Sequence, residues 1–182
     1  MKTLRNLSGK RVIVLDTSAL IAGLDPFSMS EEQYTVPVVR DEITEKSVLE
    51  FRFKMAEESG KIKVESPDEQ FLEKARSAAS EVGDAFFLSE ADLQVLALAL
   101  ELRARGHSPL IATDDYSIQN VAKQVGMEFA PLATFGIRRR LLWLRYCPAC
   151  HKRYPATYRS SKCEVCGTDL KRKPLRTDCG DR

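Results

Sequence analysis

No stretch of the chain approaches the ~20 consecutive apolar residues that a membrane helix needs, so a membrane-spanning role is not expected of its 182 residues. There is no glycine-rich phosphate loop and no G-x-S-x-G elbow, and Asp16-Thr17-Ser18 lacks the second aspartate of an aspartyl-phosphate enzyme. Histidine is scarce: His107 and His151 stand alone, and they read as a surface-loop residue and a neighbour of the cysteines rather than as catalytic bases. The first residues, Met1 to Lys10, are polar, and the apolar run Val12 to Leu15 is too short for the core of a secretory leader. We therefore expect a cytoplasmic protein, in which cysteines serve chemistry other than structural disulfides.

Cysteine is where the sequence becomes specific. Cys147, Cys150, Cys163 and Cys166 form two C-x-x-C pairs separated by twelve residues. Each pair turns tightly enough to aim two sulfurs at one point, and two such turns joined by a short hairpin make a closed tetrahedral thiolate site of the kind found in zinc ribbons. Iron in a rubredoxin-like cage is the rival occupant, because both metals accept four thiolates. Cys179 is left over as a spare thiol near the end of the chain.

The formal net charge of +2 hides a division. Residues 1–137 hold 15 Lys/Arg against 22 Asp/Glu, a balance of −7, while residues 138–182 hold 13 against 4, a balance of +9. A basic module on an acidic body points to a polyanion met by one end only. Arg138, Arg139, Arg140, Arg145, Lys152, Arg153, Arg159 and Lys162, with Lys171, Arg172 and Lys173, alternate with Trp143, Tyr146, Tyr154 and Tyr158, which offer bases rings to stack on. The eight cations from Arg138 to Lys162 are the candidate RNA-binding residues; the plainer reading of the segment is a solubilising tail. The expected division is 1–136 and 137–182, the second part comprising a basic linker, a ribbon at about 141–170 and a tail.

The acidic part alternates strands and helices. Strands are expected at Arg11–Leu15, Tyr34–Val36, Ile62–Val64, Leu110–Thr113 and Met127–Phe129. One long helix should run from Pro37 to about Glu58, stopped by Gly60. Ser66-Pro67-Asp68-Glu69 reads as a cap, a first-turn proline and a reciprocating acid before a helix whose stripe is Phe71, Leu72, Ala75, Ala79 and Val82. Ser89-Glu90-Ala91-Asp92 opens the next, with Leu93, Leu96, Ala97 and Leu100 on one stripe, and Ser117–Val125 is the last. Such alternation implies an α/β fold with a parallel sheet flanked by helices, followed by the small ribbon.

In such a sheet the binding crevice lies at the carboxyl ends of the strands. Asp16 follows the first strand and Asp114-Asp115 follows the Leu110 strand, so they can meet there, with Asp92 in the first turn of its helix at the same edge. At about 100° per residue, Glu42 falls on the arc of Val39 and Ile43 and so points towards the body. Each acid has an ordinary alternative: Asp16 and Asp114 as helix caps, Asp92 as partner of Ser89, Glu42 as partner of Lys46. Taken together, converging carboxylates would repel one another unless a divalent cation neutralised them, and an all-oxygen set suits magnesium or manganese.

The segments Val12–Leu20, Val36–Ile43, Leu88–Asp92 and Ala112–Val121 resemble a PIN domain, a family of metal-dependent ribonucleases, over about residues 10–130. With the ribbon appended, the order of modules resembles the archaeal Nin-one-binding-type endonucleases, which mature the 3′ end of small-subunit ribosomal RNA. The resemblance implies metal ligation by Asp16, Glu42, Asp92 and Asp115, with Asp114 auxiliary; Asp41 and Glu45 stand near enough to compete for the role of Glu42. It implies hydrolysis of single-stranded RNA using manganese or magnesium, structural zinc in the ribbon, and a ribosomal precursor particle as partner. The added ribbon argues against a stand-alone toxin. A non-catalytic RNA-binding or assembly factor on a PIN-like scaffold is the alternative.

Overall fold

The computed structural model describes residues 9–43, 47–133, 142–155, 157–158 and 160–175. Its strands and helices are β1 (Arg11–Leu15), α1 (Thr17–Ile21), β2 (Glu32–Thr35), α2 (Pro37–Ile43), α3 (Ser47–Glu58), β3 (Ile62–Val64), α4 (Glu69–Val82), α5 (Glu90–Ala104), β4 (Ser108–Ala112), α6 (Tyr116–Gln124), β5 (Glu128–Ala130), β6 (Leu142–Tyr146), β7 (Arg153–Tyr154) and β8 (Lys171–Leu175). A short 3-10 turn at Pro26–Ser28 precedes β2.

Strands β1 to β5 form one all-parallel sheet in the order β3-β2-β1-β4-β5. The central strand β1 buries Val12 through Leu15, as a parallel strand covered on both faces must. Its register pairs Leu15 with Ala112, so the residues that follow β1 and β4 leave the sheet side by side. The helix α5 packs against both of those strands and against α4 and α6. It is buried on nearly every side: Val95, Leu98, Ala99 and Leu102 are covered along with the expected stripe. A helix lodged between a sheet and two other helices has no solvent face to leave a clear 3.6-residue pattern. No helix among the described residues is long and apolar enough to cross a membrane.

Several local expectations change. Residues 37–58 hold two helices, α2 and α3, with 44–46, including Glu45 and Lys46, outside the described residues. The capping box expected at Ser66 is absent. Helix α4 starts at Glu69 behind Asp68, whose side chain makes no cap bond and whose backbone N–H donates instead to the buried Glu101 at 2.9 Å. A long-range carboxylate thus replaces the local cap. Gly83, at φ 82°, closes α4 in the left-handed conformation that favours glycine.

The second sheet is antiparallel, with β6 between β7 and β8. It runs past the expected limit of about 170, since β8 carries Lys171, Arg172 and Lys173. Pro174 sits on this edge strand, where no second neighbour requires its missing N–H. The proposed linker after Gly136 lies outside the described residues.

Candidate functional site

Asp16 leaves β1 at the sheet edge, its backbone N–H donating to Ala112 O at 3.2 Å. Its carboxylate is 4 % exposed and held from three directions: Thr17 N donates to Oδ1 at 2.7 Å, while Ser18 Oγ and Thr113 Oγ1 donate to Oδ2 at 2.6 and 2.8 Å. Asp16 therefore caps α1 and is fixed from the neighbouring strand end. Asp115 is the N-cap of α6, accepting Ser117 N and Ile118 N on Oδ1 at 2.6 and 3.1 Å. Asp92 forms the capping box with Ser89: Ser89 N donates to Asp92 Oδ2 at 2.6 Å and Asp92 N donates to Ser89 Oγ at 3.2 Å.

The ordinary roles are thus filled, and they leave the candidate roles open. Each cap locks a carboxylate through one oxygen, and among the described residues no hydrogen bond reaches Asp92 Oδ1 or Asp115 Oδ2. Burial pushes the Asp92 carboxyl above the usual aspartate range, and the charges of Asp16 and Asp115 push it in the same direction; the bonds from Ser89 only partly offset this. Anionic oxygens held apart from other donors, at a cost in mutual repulsion, fit a hard dication. They do not form a cage as tight as that of the four cysteines, so a bound ion would keep water or substrate oxygens.

Two acids behave differently from expectation. Glu42 is exposed rather than turned into the body, and it joins the edge by accepting Thr17 Oγ1 on Oε2 at 2.5 Å. Asp114 is not the cap of α6. Its carboxylate accepts Leu132 N and Ala133 N at 3.0 to 3.1 Å, which ties down the segment after β5. Asp41 pairs with Arg40 at 3.3 Å on the outer side of α2. The hydroxyls of Thr17, Ser18 and Thr113 are the site residues that sequence reasoning passed over; each lies beside a strand-end aspartate, which is the one signal that could have singled it out.

The four cysteines converge. Cys147 Sγ lies 3.4 Å from Cys166 Sγ and Cys150 Sγ lies 3.5 Å from Cys163 Sγ. These distances exceed the ~2 Å of a disulfide and approach the ~3.8 Å edge of a tetrahedron with metal–sulfur bonds of ~2.3 Å. All four sulfurs fall within 4.8 Å of one another, which fits a zinc ribbon. Both knuckles turn through a left-handed residue just after the second cysteine, His151 at φ 61° and Gly167 at φ 72°.

The basic candidates divide. Arg153 and Lys162 are exposed, and Lys152 pairs with Glu164. Arg145 lies over the Phe86 ring at 4.1 Å and donates to Ser160 O at 2.9 Å. Arg138, Arg139, Arg140, Arg159 and Cys179 lie outside the described residues. Tyr154 offers no platform to a base, because it is 4 % exposed, packs on Tyr158 and bonds to Cys163 Sγ at 3.0 Å.

A family model described as the PIN domain of ribonuclease matches residues 13–102, which include Asp16, Glu42 and Asp92. Among curated proteins, the chain is 38% identical to Endoribonuclease Nob1 of Methanocaldococcus jannaschii over 92% of its own length and 80% of the relative's. It is 39% identical to Endoribonuclease Nob1 of Methanothermobacter thermautotrophicus, covering 90% and 93%, and 37% identical to that of Pyrococcus abyssi, covering 92% and 96%. With similarity that is nearly full-length on both sides, the chain belongs to the Nob1 family of PIN-domain endoribonucleases.

Proposed function

We propose that the chain cuts single-stranded RNA at the edge formed by Asp16, Asp92 and Asp115, with Glu42 and Asp114 in support, and that its substrate is the 3′ end of small-subunit ribosomal RNA in a cytoplasmic pre-ribosomal particle. The observation that carries this reading is three separately anchored carboxylates near enough to interact: Asp16 and Asp115 add their charges to the burial that raises the pKa of Asp92. We further propose that residues 1–136 form the nuclease module and residues 137–182 the zinc-bearing, RNA-binding module.

Manganese or magnesium held by Asp16, Asp92 and Asp115 would supply an activated water and neutralise charge on the scissile phosphate. The side chains themselves do the placing. Thr113, Ser18 and Thr17 keep the Asp16 carboxylate in one orientation. The capping box holds Asp92 on the first turn of α5, and the α6 amides hold one oxygen of Asp115. Glu42, kept near Asp16 through Thr17, is placed to accept a proton from a water in the cleft. Acidic walls repel RNA, so affinity falls to basic groups such as Arg153 and Lys162 of the zinc module.

Asp115→Asn keeps the one oxygen that caps α6, and Asp16→Asn keeps an acceptor for Thr17 N while the Ser18 and Thr113 hydroxyls can turn to accept from its amide; each removes one charge. Each should lower manganese-dependent cleavage of single-stranded RNA by about a hundredfold or more with the melting temperature nearly unchanged. Full activity of both variants in manganese-replete buffer would overturn the site assignment and favour a non-catalytic assembly factor.

A further inference from the structure

Among the described residues, a buried acid of the nuclease body is paired with an arginine of the zinc module. Asp84, in the loop after α4, is 1 % exposed. Its Oδ1 accepts Arg172 Nη1 from β8 at 3.0 Å, and its Oδ2 accepts Asn120 Nδ2 from α6 at 2.6 Å. The Arg172 guanidinium lies 3.5 Å from the centre of the Phe87 ring and 4.2 Å from that of Trp143, so it is stacked on a ring from each module while it donates to the buried acid. Beside it Arg145 covers Phe86. A planar, delocalised cation does this where a lysine would not. An exposed ion pair would count for little, but here the acid side chain is 2 % exposed.

We propose that Asp84 is a positioning residue through which the docked zinc module sets the placement of Asp92 and Asp115. This inference rests on the nuclease reading above and deepens it. On one side, Asp84 O accepts Phe87 N at 2.8 Å and Leu88 N at 3.3 Å, closing a turn that buries Leu88 and delivers Ser89 to its box with Asp92. On the other, Asn120 belongs to the helix whose cap is Asp115. A shift of Asp84 therefore reaches both acids through short, well-formed bonds. Asp84 itself does not touch the substrate or an ion: both of its oxygens are engaged and it is closed off from solvent. Arg145 and Arg172 accordingly serve docking before they serve RNA, and the module affects turnover as well as affinity.

The full-length, zinc-loaded protein tests this with Arg172→Leu, Phe87→Ser and Asp84→Asn. Trp143, the chain's one tryptophan, reports the docking through its emission. Manganese affinity, measured by electron paramagnetic resonance without RNA, and kcat and KM on a short single-stranded RNA report the site. Arg172→Leu should shift Trp143 emission, weaken manganese binding about tenfold and lower kcat about tenfold, with KM changed far less. Phe87→Ser alters a ring that is 46% exposed and so spares the fold; it should move the same quantities in the same direction by less. Asp84→Asn keeps an acceptor for Arg172 and, with the Asn120 amide turned over, a partner there, so it should retain most of both. Unchanged manganese affinity and kcat in Phe87→Ser and in any folded Arg172→Leu would reduce the docking to a tether and overturn the proposal. A loss in Asp84→Asn as complete as in Asp16→Asn would make Asp84 a ligand and overturn it as well. If the unaltered protein binds manganese but cleaves no RNA, the nuclease reading fails while the manganese affinities still decide the role of Asp84; if it binds no manganese, both fail.

Discussion

The parallel sheet is held by a continuous apolar core running from Val12 to Met127, whereas the small sheet after Leu142 buries Cys147, Tyr154 and Cys163 with Tyr158 and Leu170 against them. The first region can be stable through area removed from water. The second has almost no such area, so a metal held by its four cysteines would have to supply the stability that burial does not. The same contrast holds for charge: the body gathers acids at the ends of β1 and β4, and the module lays Arg145 and Arg172 on rings.

Removing zinc breaks the comparison most severely. Structural zinc in small modules contributes about 10–16 kcal/mol of folding free energy, so Cys163→Ser or a strong chelator should unfold the module and leave the body folded. Separate amide-exchange protection of the two regions checks this; joint loss would mean that the body depends on the module for its core. The converse change is Leu98→Ala, at the fully buried centre of α5, which should cost the body about 2–5 kcal/mol with zinc stoichiometry unchanged. Denaturant melts paired with zinc analysis test it.

Smaller changes sharpen the contrast. Gly167→Ala places a side chain in the left-handed turn of one knuckle, where about 1–2 kcal/mol is lost per ordinary residue, and competition with a zinc indicator should show weaker binding. At the acidic edge the effect is one of slope. The Asp92 carboxyl titrates above its unfolded value of 3.8, so its contribution to stability is full below that pH and is lost as pH rises through the folded value. In manganese- and magnesium-free buffer the unaltered protein should therefore lose stability relative to Asp92→Asn as pH climbs from about 4. Melting curves of both proteins at several pH values check this; parallel curves would mean that Asp92 carries no strain.

Much of this was readable in the chain. Ser89, Gly83, the two C-x-x-C turns and the cap that Asp16 places on α1 act within a few residues of themselves, so local pattern exposed them. The ends of α5 were readable too, but its burial on nearly every side was not, because a helix covered by a sheet and two helices loses its polar face and with it the one-sided stripe. The cap at Ser66 failed because Glu101, 33 residues away from Asp68, supplied the bond instead.

Residue spacing by itself determined the parallel α/β body, the thiolate cage and which acids stand at strand ends, since each follows from short-range geometry. Only the tertiary structure decided that Asp114 holds a loop while Asp115 caps α6 through one oxygen, and that Arg172 belongs to Asp84, 88 residues distant, rather than to a tail reaching for RNA. The physical reason is burial: a charge left at the surface has many equivalent partners, but one withdrawn from water must find a particular partner, and that partner need not be near it in the chain.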